Sequence, residues 1–548
     1  MIAKNSCTPA AESSMDDLEQ VLERVKAHGV DPKDTELLES VIGSYGYMTE
    51  LIREKQTTLA RLRQMLFGPT SETKERVLER AAAASPDGGA AAPPPASATP
   101  PEPKAPAKGH GRNGADAYPG AVCVLVPHES MHTGDSCPHC KGHVYTRKDP
   151  RQLVRIRGMA PLGATIYEQE ELRCNLCGEV FTAAALPGVG EAKYDATAVS
   201  MVACLRYGSG MPFYRIEQLQ ESMGVPLPAS TQWDLVNEAA SALFPVLAEF
   251  LRQSAQGEVL HNDDTPMVIL AYIREEQKRR ERGEKKSERT GVFTTGIVAL
   301  LGDRRIVLYA TGHRHAGENL LEVLRRREAS LPPPLQMCDG LDRNLPGDLK
   351  TVVGNCLAHA RRNFVDVVGS FPTEVTYVIE ELAIVYRAEA EARGLPPAER
   401  LRIHQEKSAP VMAGLRTWFE EQFSKKKVEP NSVLGGAIAY ALKRWGRLTL
   451  FLEREGAPID NNICENMLKR AILHRKNSLF YKTEHGAHVG DLYMSLIATA
   501  RLAGANPFDY LTELQRHAKE VANSPADWMP WRYRETLGLR DGPAPPTG

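Results

Sequence analysis

A mixed α/β fold with a helical insertion, preceded by a coiled-coil helix and a small metal-stapled β module, is the class this sequence predicts. Three observations carry that prediction. Residues 258–340 alternate short β-branched runs with one helical stretch, the texture of a sheet with helices laid on it. Residues 371–455 read as mainly helical, and a further amphipathic helix begins near Asn462. Four of the ten cysteines form two Cys-x-x-Cys pairs within one short stretch.

The 548 residues are 42% hydrophobic, enough for at least one large core and, at roughly 150 residues per domain, for three or four modules. A wholly disordered chain is excluded. Lys and Arg total 67 against 69 Asp and Glu, so the chain is not globally basic and any nucleic-acid contact must come from local cation clusters. The N-terminal stretch lacks an apolar h-region and no run of about 18 apolar residues occurs, so neither signal peptide nor membrane span is expected. A cytoplasmic location follows, and there paired cysteines favour metal ligation over disulfides.

Residues 15–80 read as N-terminal helices. From Leu38, the residues Val41, Tyr45, Met48, Ile52, Leu59, Leu62 and Leu66 follow an alternating four and three spacing, broken only at Lys55. That heptad pattern suggests a coiled-coil dimer, with an amphipathic helix packed on its own domain as the other reading. Phe67, Gly68 and Pro69 stop it. Residues 81–118 form an Ala/Pro-rich linker: between 81 and 110 there are 11 Ala and 8 Pro and no Val, Ile, Leu or Phe, too little apolar surface to offset ordering entropy.

Residues 119–187 carry Cys137-Pro-His-Cys140 and Cys174-Asn-Leu-Cys177. Each pair presents two thiolates across a tight knuckle, half of a tetrahedral Zn²⁺ site with sulfurs at about 2.3 Å. The 33 residues between the pairs exceed the common spacing of about 15–20, so the connection must be a hairpin or small sheet of its own. Residues 190–252 read as helices around a Gly224 turn, with Ser230 or Thr231 as N-cap of the second. The unit has the outline of a helix-turn-helix, which lays its second helix in a DNA groove, or of a hairpin that packs on the next domain.

From 253 to 515 the reading is one domain, with the helical insertion at about 371–455 and a C-terminal tail from 516 to 548. Glu258–Asp264, Thr265–Ile273, Gly291–Gly302 and Arg304–Gly312 are the strand-like runs, read as a three-strand meander; a helix over about Ala316–Arg327 and a strand before Asp339 follow. The stretch from Arg274 to Arg289, with eight basic and five acidic residues, reads as a solvated loop inserted between the first two strands.

Three carboxylates stand out. Asp263 sits on or at the end of the first strand, Asp339 ends the strand before Gly340, and Glu465 lies in the first turn of the helix near Asn462. Two strand-borne acids and an inward-facing helical one make an oxygen-rich site suited to Mg²⁺ or Mn²⁺, the kind that phosphodiester chemistry uses. Each acid also has a structural reading. Asp263 and Asp264 can start a turn, Asp339-Gly340 is a turn dipeptide, and Asn462 with Glu465 has capping-box spacing. Taken jointly, an acid on strand one, an acid after strand four and an acid on a later helix form the layout of a ribonuclease-H-like catalytic core. Asp264 should point to the opposite face from Asp263.

The residues also resemble a known family. Leu260 to Pro266, Leu335 to Gly340 and Asp460 to Glu465 are similar to the first-aspartate, second-aspartate and glutamate motifs of transposases of the insertion sequence 66 family. Arg61 to Gly68 with Ser71-Glu72, the paired cysteines, Met211 to Arg215, Cys356 to Arg362 and Arg475 to Asn477 resemble further signatures, so the likeness spans roughly residues 38–515. The sequence departs at Cys338, where a small residue is usual, and at Ile463 and Asn466, which replace Pro and Arg.

The resemblance implies a DDE enzyme in which Asp263, Asp339 and Glu465 hold two Mg²⁺ or Mn²⁺ ions. Hydrolysis at transposon ends would expose a 3′-hydroxyl that attacks target DNA. Expected partners are double-stranded DNA bearing the inverted repeats, target DNA, a second copy through the coiled coil, and accessory proteins of the same element. Lys469, Arg470, Arg475 and Lys476, one to three turns beyond Glu465, and Arg361 and Arg362 are candidates for phosphate contact. Glu465 with Lys469 also has ordinary i, i+4 pairing. Cys356-x-x-His359 reads as packing rather than half a zinc site, no second pair lying near it in sequence. The alternatives are a catalytically silent DNA-binding regulator and a ribonuclease-H-like nuclease without strand transfer.

Overall fold

A computed structural model describes residues 132–136, 143, 161–173, 180–182 and 192–538. The heptad segment and Cys137, Cys140, Cys174 and Cys177 lie outside the described residues. Those described divide into two compact units. One comprises residues 192–216 and 228–533; the other holds the described residues before 192, together with 217–227 and the residues after 533.

In the smaller unit, β1 (Glu171–Arg173) and β2 (Val180–Thr182) pair antiparallel, with Glu171 opposite Thr182 and Arg173 opposite Val180. This ladder flanks Cys174 and Cys177 in the sequence. An isolated antiparallel bridge between Ser136 and His143 flanks Cys137 and Cys140 in the same way.

The larger unit opens with α1 (Ala196–Ala203); α2 (Phe213–Ser222) and α3 (Ala229–Ser254) follow it in the chain. α3 begins at Ala229, with Pro228 in the capping position and no side-chain cap, so neither Ser230 nor Thr231 serves as the expected N-cap. Its Val236, Ala240, Leu243, Val246 and Phe250 repeat at helical spacing and are buried.

Five strands form the central sheet: β3 (Val259–Pro266), β4 (Phe293–Leu301), β5 (Arg304–Gly312), β6 (Leu335–Cys338) and β7 (Val352–Asn355). The order is β5-β4-β3-β6-β7. The first three form the predicted antiparallel meander, and β6 and β7 continue it in parallel. α5 (Ala316–Leu324) lies where the sequence put it.

One expectation fails here. The run Thr265–Ile273 stays in the strand only to Pro266, and the charged stretch is not simply a loop: after a single bridge from Ile269 to Tyr481, the chain turns into α4 (Leu270–Glu281). Leu270 and Ala271 donate their N–H groups to the Tyr481 and Lys482 carbonyls, which ends strand pairing after one residue. Lys278, Arg279 and Arg280 fall in the helix's last turn, where cations complement the macrodipole.

Between β7 and the glutamate-bearing helix lie α6 (Leu357–Asp366), α7 (Pro372–Ala392), α8 (Pro397–Ile403), α9 (Ala409–Ser424) and α10 (Val433–Lys443). They share a core of their own, with Val375, Val378 and Leu382 of α7 against Leu415 and Phe419 of α9 and Leu434 and Ile438 of α10. Phe364 stacks on Phe419 at 5.3 Å between ring centres.

α11 (Asn462–Ser478) and α12 (Glu484–Leu502) follow, and α13 (Pro507–Arg516) and α14 (Ala518–Asn523) come after them in the same unit. α12 lies along β5, the edge strand. Thr499 Oγ1 accepts the Val307 N–H at 3.0 Å, Ser495 Oγ accepts that of Tyr309 at 2.9 Å, and Asp491 Oδ2 accepts that of Thr311 at 2.7 Å. Four helical residues and two strand residues advance by nearly the same distance, about 6 and 6.6 Å, so the two ladders stay in step. Among the described residues, no helix is long and apolar enough to cross a membrane.

Candidate active site

The parallel pairing of β3 with β6 sets Val259 beside Leu335 and His261 beside Met337. Carried two residues further, the same offset brings Asp263 level with Asp339, and side chains at matching positions of neighbouring strands share a face. On the other side of β3, Asp263 pairs with Gly296 of β4. A Cβ on Gly296 would meet the Leu468 side chain at 3.0 Å, so this glycine lets α11 settle closely on the same face.

Cys464, Leu468, Ala471 and His474 form the buried stripe of α11, which leaves Glu465 at its flank. Its entry is pinned by Asn461. The Asn461 side chain donates to the Asn262 carbonyl at 3.2 Å and accepts from His261 Nδ1 at 3.0 Å. Burial pushes His261 down to about 4, so the ring is neutral and donates to the amide oxygen. The capping-box reading of Asn462 and Glu465 does not hold. The Asn462 side chain binds Asp460, and the Glu465 carboxylate faces His359 Nδ1 at 3.5 Å and Arg362 Nη2 at 3.7 Å.

Asp263 is pushed up to about 7, first by burial and then by the charges of Asp339, Asp264 and Glu465; the Asp264 N–H it accepts offsets part of this. A carboxyl whose surroundings disfavour its ionised form either keeps its proton or binds a cation that offsets the charge. The Asp263 carboxyl, set level with Asp339, and a Glu465 Oε1 that is buried without a hydrogen-bond partner among the described residues fit a hard divalent ion such as Mg²⁺.

Asp264 behaves differently. Its side chain has no exposed surface and is held by His315 Nδ1 at 3.0 Å, Arg343 Nη2 at 3.1 Å and the Ala316 N–H at the start of α5. These bonds tie it into the fold, and strand alternation sets it on the other side from Asp263. Asp339 does form the predicted turn, accepting the Leu341 N–H at 3.1 Å and the Asn344 side-chain amide. Gly340 lets Arg444 come close: a Cβ would meet Arg444 Nε at 2.1 Å and push that side chain aside, and Arg444 donates to the Gly340 carbonyl at 2.9 Å. The helical insertion thereby braces the turn that carries Asp339.

The cations after Glu465 separate by helix face. Lys469 and Lys476, four and eleven residues on, share the Glu465 side of α11 and are exposed. Lys469 Nζ bonds Asn466 rather than Glu465. Arg470, five residues on, turns inward beside Tyr309 and Arg501, and Arg475 donates to Thr265 Oγ1 at 3.1 Å and to the Pro266 carbonyl. Arg361 lies near Tyr386. Sequence reasoning missed the sorting of these cations by face, which a helical wheel drawn from Glu465 supplies. It also missed Asn461, whose partners lie about 200 residues away.

Fold and site together define an α/β protein in which Asp263 on the central sheet feels the charges of Asp339 and of Glu465 on α11. Residues 192–489 match the family described as Transposase IS66 family. The chain belongs to that family.

Three relatives come from Sinorhizobium fredii (strain NBRC 101917 / NGR234), each described as an uncharacterized protein. y4jD is 35% identical over 185 residues, 33% of this chain and 35% of its own length. y4qI is 27% identical over 356 residues, 61% of this chain and 62% of its own. y4hP is 25% identical over 349 residues, 60% of each. The chain thus spans between about a third and three-fifths of the relatives it matches. No solved structure matches it.

Proposed function

We propose that the protein is a DNA transposase of the DDE class with a ribonuclease-H-like catalytic core, cleaving transposon ends and joining the released 3′-hydroxyl to target DNA. The observation that carries this reading is that Asp263 on β3 feels the charges of Asp339, at the end of β6, and of Glu465 on α11. The three-strand antiparallel meander continued by two parallel strands supports the ribonuclease-H-like assignment.

Asp263, Asp339 and Glu465 would hold the divalent ions. Bound there, Mg²⁺ or Mn²⁺ would activate the attacking oxygen and neutralise the leaving one. The chain's own residues do the positioning. Asn461 ties the start of α11 to β3, Gly296 admits the helix, and Arg444 holds the Asp339 turn. The exposed Lys469 and Lys476 are suited to backbone phosphates beside the site, with Arg361 and Arg362 of α6 on the neighbouring element. Arg470 and Arg475, held by the fold, are weaker candidates. Cys137, Cys140, Cys174 and Cys177 would form a structural Zn²⁺ site, a reading supported by the antiparallel pairing that flanks each cysteine pair. The coiled coil would supply a second copy.

The test uses the purified full chain, Mg²⁺ or Mn²⁺, and labelled DNA bearing the inverted repeats that flank the gene, beside Glu465→Gln. The expected outcome is nicking and joining at the repeat tips by the wild type alone. Specific binding without cleavage would refute the enzyme and favour the regulator. Cleavage without joining would favour a nuclease, and cleavage retained in Glu465→Gln would refute the assignment of the third acid.

A further inference from the structure

Cys356 caps the N-terminus of α6, and the Cys356-x-x-His359 pair lies beside the carboxylate centre on the Glu465 side. The three side chains come from segments about a hundred residues apart in sequence, yet Cys356 Sγ, a His359 ring nitrogen and a Glu465 carboxylate oxygen all lie within 4.8 Å of one another. His359 Nδ1 and Glu465 Oε1 are both buried, and neither has a hydrogen-bond partner among the described residues. Their 3.5 Å separation is long for a hydrogen bond. It is close to the ~3.4 Å edge of a tetrahedron whose nitrogen and oxygen ligands stand about 2.1 Å from a shared ion. Around the sulfur, the Asn461 N–H points at Cys356 Sγ at 3.2 Å, a donor that favours the thiolate.

We propose that Cys356, His359 and Glu465 form a second metal site, selective for a thiophilic divalent cation of the zinc class, which competes with the catalytic ion for Glu465. The donor set decides the selectivity. A thiolate and an imidazole suit zinc or cobalt and discriminate against magnesium, which takes oxygen ligands and retains its waters. Three protein ligands leave one position open, the arrangement of an exchangeable rather than a sealed zinc site. A bound ion displaces the thiol proton, which an isolated buried cysteine would keep.

The metal-binding part of the proposal stands on the cluster alone; the competition rests on the role proposed above for Glu465. An ion held by Oε1 fixes the carboxylate toward α6 and away from Asp263 and Asp339. Zinc would then act as a brake on magnesium-dependent strand cleavage.

The experiment compares the full chain with Cys356→Ser and His359→Gln, each checked for folding by circular dichroism. Zinc bound per chain after desalting is measured, and Co²⁺ is titrated while the thiolate-to-cobalt absorption band is recorded. The cysteine pairs of the small unit contribute equally to all three proteins, so the difference reports this site. The wild type should bind one more metal ion per chain than either variant. Equal metal content in all three would overturn the proposal whether or not the protein cuts DNA. For competition, zinc is added to magnesium-supported nicking, and the inhibition midpoint should rise at least tenfold in Cys356→Ser relative to the wild type's own midpoint. An unchanged midpoint would overturn the competition while leaving the metal count to stand by itself.

Discussion

Replacing Asp263 by Asn should change how stability depends on pH in the absence of magnesium. The folded carboxyl ionises near 7 against an ordinary value of 3.8, so the native state holds a proton that the unfolded chain has released. The sign follows: stability falls as pH rises through this window, because the unfolded chain gains by releasing a proton that the native state retains. Between pH 5 and the folded value lie about two pH units, roughly 2.7 kcal/mol at 1.36 kcal/mol each. Solvent at the mouth of the site reduces the expected loss to about 2 kcal/mol.

Asp491, buried and also pushed up to about 7 by burial, contributes with the same sign to wild type and variant alike and cancels in the comparison. The assay is thermal unfolding of both proteins at pH 5 and pH 8 without added magnesium. The wild type should lose about 2 kcal/mol relative to Asp263→Asn, a difference of a few degrees in Tm. Magnesium at pH 8 should then restore the wild type and leave the variant unmoved, since only the former presents the full ligand set. If the two proteins track one another across pH, the claim that Asp263 sits among mutually repelling acids is refuted.

Arg475→Ala removes the hydrogen bonds to Thr265 and Pro266 and should cost about 1–3 kcal/mol while leaving the salt dependence of DNA binding unchanged; a slope reduced by about one would mean that Arg475 contacts phosphate. Gly296→Val forces Leu468 away from β4, and an overpacking penalty of about 1–3 kcal/mol should appear with a weakened magnesium-induced rise in Tm; an unaltered rise would show that α11 need not lie so close. Asp264→Ala strands His315 and Arg343 and should lower stability by about 2 kcal/mol, yet retain the magnesium response that Asp263→Asn loses; loss of that response would exchange the roles of the two neighbours.

Much of the sheet was legible because β-branched runs such as Arg305–Thr311 have one period and one environment. The helix at Leu270–Glu281 was not. Val268 and Ile269 belong to a short apolar run whose period does not separate strand from helix, and it was the backbone of Tyr481, over 200 residues later, that decided the matter. Asp339 and Glu465 were placed on their elements by local signals, a turn dipeptide and a helix start, whereas Asp263 was located only by the strand run around it. What surrounds them was not readable: the links from Asn461 to His261, Arg444 to Gly340 and His359 to Glu465 join segments 100 to 200 residues apart, and no local pattern encodes such pairings. The positions of Arg470 and Arg475 were implicit in the 3.6-residue period, which turns them away from the face shared by Glu465, Lys469 and Lys476.

The helix seated along β5 has a temporal consequence. During synthesis, β3 to β7 emerge before α11 and α12, so the nascent sheet presents a bare edge at Val307, Tyr309 and Thr311 and a pair of acids without the third. An unsealed edge invites pairing with another chain. The same final stretch, Asn462 to Leu502, ends both conditions at once, supplying Glu465 to the centre and Asp491, Ser495 and Thr499 to the edge. On the proposed reading, a chain interrupted before that stretch is prone to associate and unable to cut, so premature release from the ribosome cannot yield a partly active nuclease.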